Sequence, residues 1–242
     1  THPLIRKAAG TIASTLIRRS GTVGGNLCLD TRCFWFNQTE DCRRSIDWCH
    51  KCDCDTDADC RVIPNQNTLC VATYQGDLAP CLMVLGARIH LAGPEGQRTM
   101  NLDEFYALDG MKRNVLEIGE LVTHVTLPVE SDDLEGDYQK LRLRESWDFP
   151  EAGVAASWKR NGRGIEQLYV ATTACESIPR LHSDEANEAL NGWNGQESAK
   201  KLAEKIRKSV KPVNNTYFPP AYRRKMLRVL TKRALAGSWS DE

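Results

Sequence analysis

The sequence predicts an α+β protein built in two subdomains, and three observations carry that expectation. The chain has 242 residues, enough to bury a core and intermediate between one large domain and two small ones. Helix-spaced and strand-spaced apolar patterns are interleaved in the first half, whereas the second half runs three strand patterns and then three helical ones. Within the first half, from Cys28 to Cys70, lies a stretch with almost no apolar periodicity, which something other than a hydrophobic core must hold. The boundary is expected at the acidic link Glu130 to Asp137, giving residues 1–129 and 130–242.

In chain order, Ile5, Ala8, Ala9, Ile12, Leu16 and Ile17 recur at helical spacing, so one helix is expected from Ile5 to Arg18. Asp77 to Ala87 reads as a second helix and Arg88 to Leu91 as a short strand stopped by Gly93-Pro94. Met100 to Tyr106 reads as a connection and turn. Leu121 to Leu127 alternates again and stops at Pro128, as an edge strand would. Tyr138 to Leu143, Gly153 to Lys159 and Ile165 to Thr172 are strand candidates, the last two joined by the turn signal Asn161-Gly162. Ser183 to Asn191 and Glu197 to Ser209 read as helices with serines near their starts. Pro220 to Ala236 reads as a basic amphipathic helix that opens on a proline.

Basic and acidic side chains number 32 each, a formal net charge of zero, so no global field draws nucleic acid or an anionic membrane. No apolar run approaches the roughly 18 residues that span a bilayer. The N-terminus lacks the apolar core of a signal peptide, and Arg18-Arg19 is followed by glycines rather than by an apolar stretch. A soluble, cytoplasmic protein is expected. Because the helical pattern starts almost at Thr1, the chain is also expected to begin inside a structure.

Nine of the ten cysteines lie between Cys28 and Cys81. Disulfides would require an oxidising compartment, for which there is no sign. Zinc favours paired CxxC motifs, and only Cys49 to Cys52 forms one, with Cys54 following. An iron-sulfur cluster tolerates widely spaced thiolates, and either metal would order a loop that has no apolar face. His50 is a possible further ligand, although a solvated loop histidine is the commoner case. The acidic run Asp53 to Asp59 reads as a solvated loop. Cys28 and Cys81 read as small buried hydrophobes, and Trp35, Trp48 and Trp147 as packing residues. The glycines of Gly21 to Asn26, GTVGGN, would let a backbone approach a phosphate closely, although a tight turn is the commoner reason for paired glycines and the spacing is neither that of a Rossmann fingerprint nor that of a P-loop.

Together, IRRSGTVGGNL (Ile17 to Leu27), YQGDLAPCLMVLGA (Tyr74 to Ala87), YQKLRLRESWDFP (Tyr138 to Pro150) and FPPAYRRKMLRVLTKRAL (Phe218 to Leu235) resemble the FAD-binding subunit of the xanthine dehydrogenase and carbon monoxide dehydrogenase family. The resemblance implies the C-terminal portion of a PCMH-type FAD-binding domain followed by a small α+β domain, an antiparallel sheet plus helices, of the CO dehydrogenase flavoprotein C-terminal type. It places Gly21, Thr22, Val23, Gly24, Gly25, Asn26, Asp77 and Lys140 at the flavin, with the Gly24 and Gly25 amides on the diphosphate and Asp77 on ribose hydroxyls. The cysteine-rich insertion, at about 28–70, resembles the branch represented by the β subunit of 4-hydroxybenzoyl-CoA reductase, on the strength of DTRC (Asp30 to Cys33) and Cys60-Arg61. That likeness implies a 4Fe-4S cluster on Cys33, Cys49, Cys60 and Cys70, with Cys52 and Cys54 as rivals. Nothing in the chain matches the family's N-terminal FAD subdomain with its AGGT-like motif, so the chain is expected to be a fragment or to have that part supplied by another chain, with incomplete FAD binding as the third reading.

The function so implied is that of an electron-transfer oxidoreductase subunit with no catalytic acid or base of its own. Electrons would pass between a ferredoxin-like donor, the 4Fe-4S cluster and FAD, then to a 2Fe-2S small subunit and a molybdopterin-binding large subunit that holds the substrate. Arg223, Arg224 and Lys225 could face a partner subunit or plain solvent. Two rival expectations are a scaffold subunit that has lost FAD and a zinc-stabilised interaction module.

Overall fold

The computed structural model describes residues 2–65, 69–162 and 164–239, and the side chain of Cys54 lies outside that description. The expected first helix is two helices, α1 (Pro3–Thr11) and α2 (Thr15–Ser20). Ile12 turns extended and Ala13 adopts a left-handed φ of 42°, while the Ser14 hydroxyl accepts the Ile17 N–H and caps a fresh start. A serine beside a helix end competes for backbone donors in this way. GTVGGN, read as a loop, contains the short helix α3 (Val23–Leu27), capped by Thr22. Within the cysteine segment, α4 (Glu40–Ser45) has Thr39 as its cap, acids in its first turn and arginines in its last, which suits the helix dipole.

The helix α5 (Leu78–Val84) is buried on every side, as its unbroken apolar sequence requires. It precedes a three-stranded antiparallel sheet, β1 (Arg88–Gly93), β2 (Gly96–Asn101) and β3 (Leu121–Thr126), in the order β2-β1-β3. The strand β2 replaces part of the expected connection. A second antiparallel sheet, in the order β4-β5-β6-β7, holds β4 (Glu135–Leu141), β5 (Ala152–Asn161), β6 (Gly164–Thr173) and the short β7 (Arg180–Leu181). Its first strand starts inside the expected acidic link. The helices α6 (Ser183–Leu190), α7 (Gln196–Ser209) and α8 (Pro220–Ala234) complete the chain.

The second sheet is covered on both faces. Ala155 and Ala171 join the core that contains α1, α5 and the first sheet. Val154, Ala156, Trp158, Leu168 and Val170 point the other way, into a core with α7 and α8. A strand buried on both faces has no polar alternate, which is why Ala152 to Trp158 reads as a nearly continuous apolar run. Packing is therefore continuous across the boundary expected near residue 130. Among the described residues no helix is long and apolar enough to cross a membrane.

Three expectations are corrected. Trp35 and Trp147 are 36 % and 59 % exposed, so neither packs a core, and Trp48 lies half-buried under the Arg44 guanidinium. Arg223 is completely buried and faces no partner, because its guanidinium donates to the carbonyls of Glu151, Val213 and Ala174. Asp53 is buried, so the acidic run is not uniformly solvated.

Candidate functional site

Two neighbouring sites gather the sequence-predicted residues. The first is built on α3. The Thr22 hydroxyl accepts the Gly25 N–H at 2.9 Å, leaving the Val23 and Gly24 amides of the first turn without a partner among the described residues. Of the two amides expected to face a diphosphate, Gly24 has no partner among the described residues and Gly25 is engaged by Thr22; free amides at a helix start suit an anion. Asn26 ties this motif to the second one, since its Oδ1 accepts the Leu78 N–H at 3.1 Å and its carbonyl accepts the Tyr74 hydroxyl at 3.0 Å. Beside α3 lies a cleft of about 340 Å³, lined mainly by apolar side chains such as Ile12, Ile17, Leu29, Leu78 and Phe149. That volume falls in the range of cofactor pockets.

Asp77 and Lys140 are brought together at Thr11, and the chain neighbours Ile12 and Leu78 line this cleft. They form an ion pair at 3.0 Å with side chains only 4 % and 3 % exposed. The other Asp77 oxygen accepts the Tyr138 hydroxyl at 2.8 Å and the Thr11 hydroxyl at 3.4 Å. Burial raises the Asp77 carboxyl, with Lys140 opposing, and burial lowers Lys140, with Asp77 opposing. Both carboxylate oxygens already have protein donors, so a ribose hydroxyl would have to share them.

The second site is a small cavity lined by Cys33, Cys49, Cys60 and Cys70, each 6–8 % exposed. Each backbone N–H is fixed by a nearby side-chain oxygen. Asn37 holds Cys33 at 3.0 Å, Asp53 holds Cys49 at 3.0 Å, Asp59 holds Cys60 at 2.7 Å and Asp109 holds Cys70 at 3.0 Å. None of these four anchors was anticipated; the available signal was an Asn or Asp within four residues of three of the cysteines. The bridge between Arg32 and Thr73 sets Cys33 beside Ala72 and Cys70. Gly110 donates to the Cys70 carbonyl, and an added Cβ there would meet the Ala72 backbone at 2.9 Å. Cys52 lies off the cavity, its thiol directed at the Phe36 carbonyl, and Cys42 is exposed. His50 lines the cavity. Cys28 is half-buried and Cys81 buried.

Burial pushes the Cys33 thiol up and the Cys70 thiol up to about 12, so these groups become thiolates only against a strong positive charge such as a metal. Among the described residues no three His, Cys, Asp or Glu side chains converge closely enough to hold a single metal ion.

The model of the FAD binding domain in molybdopterin dehydrogenase matches residues 1–130. The aldehyde oxidoreductase FAD-binding subunit PaoB of Escherichia coli K12 is 31% identical over 159 residues, 63% of this chain and 49% of that protein. The carbon monoxide dehydrogenase medium chain of Afipia carboxidovorans is 28% identical over 160 residues, 66% of this chain and 54% of that one. The chain thus spans about half the length of the curated relatives it matches. The solved carbon monoxide dehydrogenase of Hydrogenophaga pseudoflava superposes with a TM-score of 0.73 at 21% identity, over 98% of this chain and 67% of that one, which shows the fold.

Proposed function

We propose a function that starts from family membership: the chain belongs to the FAD-binding domains of the molybdopterin dehydrogenases. It is read as the FAD- and iron-sulfur-bearing electron-transfer subunit of a molybdenum hydroxylase-type oxidoreductase, similar to 4-hydroxybenzoyl-CoA reductase. The observation that carries the finer reading is that the four cysteines assigned by resemblance line one cavity. FAD and a 4Fe-4S cluster, when bound, supply respectively one- or two-electron and one-electron transfer.

The chain's own residues bind and orient these groups. The Val23 and Gly24 amides offer donors to a diphosphate, and the apolar cleft beside them keeps water from a ring system. Asp77 and Lys140 tie the end of α1, the start of α5 and β4 together. The four thiols hold the cluster, and their Asn and Asp anchors fix the loop around it. Substrate chemistry belongs to a molybdopterin-binding large subunit reached through a 2Fe-2S small subunit, and electrons enter from a ferredoxin-like donor.

Anaerobic purification with co-purifying chains, followed by iron, sulfide, zinc and FAD analysis, tests the reading. About four iron and four sulfide per chain are expected, with FAD. Cys60→Ser is expected to lose the iron and Cys52→Ser to keep it. Zinc without sulfide or flavin overturns the proposal, and a cluster without flavin leaves a scaffold subunit.

A further inference from the structure

We infer that Lys51 sets the reduction potential of the cluster by holding a buried positive charge against the cysteine cavity. This rests on the cluster reading above. Lysine is almost never buried without a reason, yet the Lys51 side chain is only 7 % exposed. Its ammonium uses all three protons, donating to Asp30 Oδ1 at 2.6 Å, to the Thr31 hydroxyl at 2.6 Å and to the Thr31 carbonyl at 3.2 Å. It also sits 3.9 Å from the centre of the Phe36 ring. Lys51 and Phe36 both line the cavity with the four cysteines.

The charged side chains on the cavity wall are cationic. Lys51 and Arg61 line the cavity, and among the described residues no carboxylate does. The neighbouring acids sit behind the cysteine backbone and off this wall, Asp109 among them on the Cys70 and Met111 N–H groups. Asp53 is bound to Arg43 and to the Cys49 N–H, Asp59 to the Cys60 and Asn65 N–H groups, and the exposed Asp47 to Arg61. Asp30 is shared between Lys51 and Arg113, whose Nε lies 3.7 Å away. Two cations on one carboxylate leave one net positive charge on this wall. A cluster on four thiolates is anionic, and reduction adds one electron to it without making or breaking a bond. A fixed cation in a poorly screened interior favours the more negative, reduced form. Lys51 therefore eases electron entry from a ferredoxin-like donor. A purely structural role, tying Asp30 and Thr31 to the loop, would leave the potential unmoved.

The test is an EPR-monitored redox titration of the anaerobically purified protein with its co-purifying chains. Lys51→Met is expected to keep iron and sulfide while its cluster midpoint moves negative, on the order of tenfold in the reduction equilibrium, about 59 mV for one electron. Lys51→Arg stays close to wild type. Asp30→Asn, which removes the counter-charge, moves the midpoint positive. An unshifted midpoint in an iron-replete Lys51→Met protein overturns the inference. Should that variant lose its iron, an unshifted or more negative midpoint in Asp30→Asn overturns it instead. Wild-type protein without iron and sulfide overturns the cluster reading itself, a result distinct from either.

Discussion

A carboxylate and an ammonium that are both nearly sealed from water must replace each other's hydration, and Asp77 and Lys140 are so placed. Removing one member of such a pair costs more than the pair contributes, about 3–5 kcal/mol, because a bare charge stays buried. Lys140→Met is therefore expected to lower unfolding free energy by roughly that amount in a denaturant titration at neutral pH. Burial already raises the Asp77 carboxyl, and loss of the lysine raises it further. A carboxyl raised in the folded state contributes stability that is complete below its unfolded pKa, about 3.9, and is lost as pH rises through the folded value. The deficit of Lys140→Met relative to wild type is thus largest at neutral pH and shrinks on acidification. A deficit that does not shrink toward acid would show that Lys140→Met leaves no bare buried carboxylate at neutral pH. The resemblance assigned both residues to the flavin; nothing in DLAP or YQKL reports that two residues 63 positions apart in sequence are joined through the core.

At the scale of elements, Thr22 links helix formation to binding. Its hydroxyl closes the first turn of α3 through Gly25, and the same turn presents the free Val23 and Gly24 amides. Thr22→Ala is expected to cost about 1 kcal/mol of stability and to weaken FAD binding severalfold by flavin fluorescence, with Thr22→Ser near wild type; unchanged affinity in the alanine variant would detach this turn from the flavin. What was legible here followed from periodicity. The helices α5, α7 and α8 and the hairpin of β5 and β6 carry enough apolar residues for their spacing to specify them. The strand β2 was not legible, because Gly96 to Asn101 is mostly polar and becomes a strand by pairing with β1 across Pro94 and Glu95. The break between α1 and α2 was hidden because a left-handed alanine leaves no compositional mark. Glycines made α3 look like a loop, although its cap was present in Thr22. At the second site the cysteines were legible by resemblance, whereas their Asn and Asp anchors depend on loop geometry that no short motif encodes.

Across the whole molecule, the segment between α7 and α8 returns to grip the cysteine loop, so the two halves meet at the second site. Asn215 is completely buried. Its carbonyl accepts the Phe34 N–H at 2.9 Å, next to Cys33, and its side-chain Nδ2 donates to the Val71 carbonyl at 2.6 Å and to the Thr73 hydroxyl at 2.9 Å, next to Cys70. Asn215→Ala leaves the Val71 carbonyl and the Thr73 hydroxyl without this buried donor, at about 1–3 kcal/mol for each unsatisfied group. Arg223 secures the same segment from behind, through the carbonyls of Glu151, Val213 and Ala174. If the segment clamps the loop, Asn215→Ala opens the loop first: proteolysis and amide exchange between Arg32 and Thr73 accelerate while α7 and α8 keep their protection. Arg223→Met, which strands three carbonyls in the second core, is expected to lower protection throughout the second half as well. Equal loss everywhere in Asn215→Ala would mean that the residue supports global stability alone, and that the loop is held by its own anchors and by what the cysteines bind.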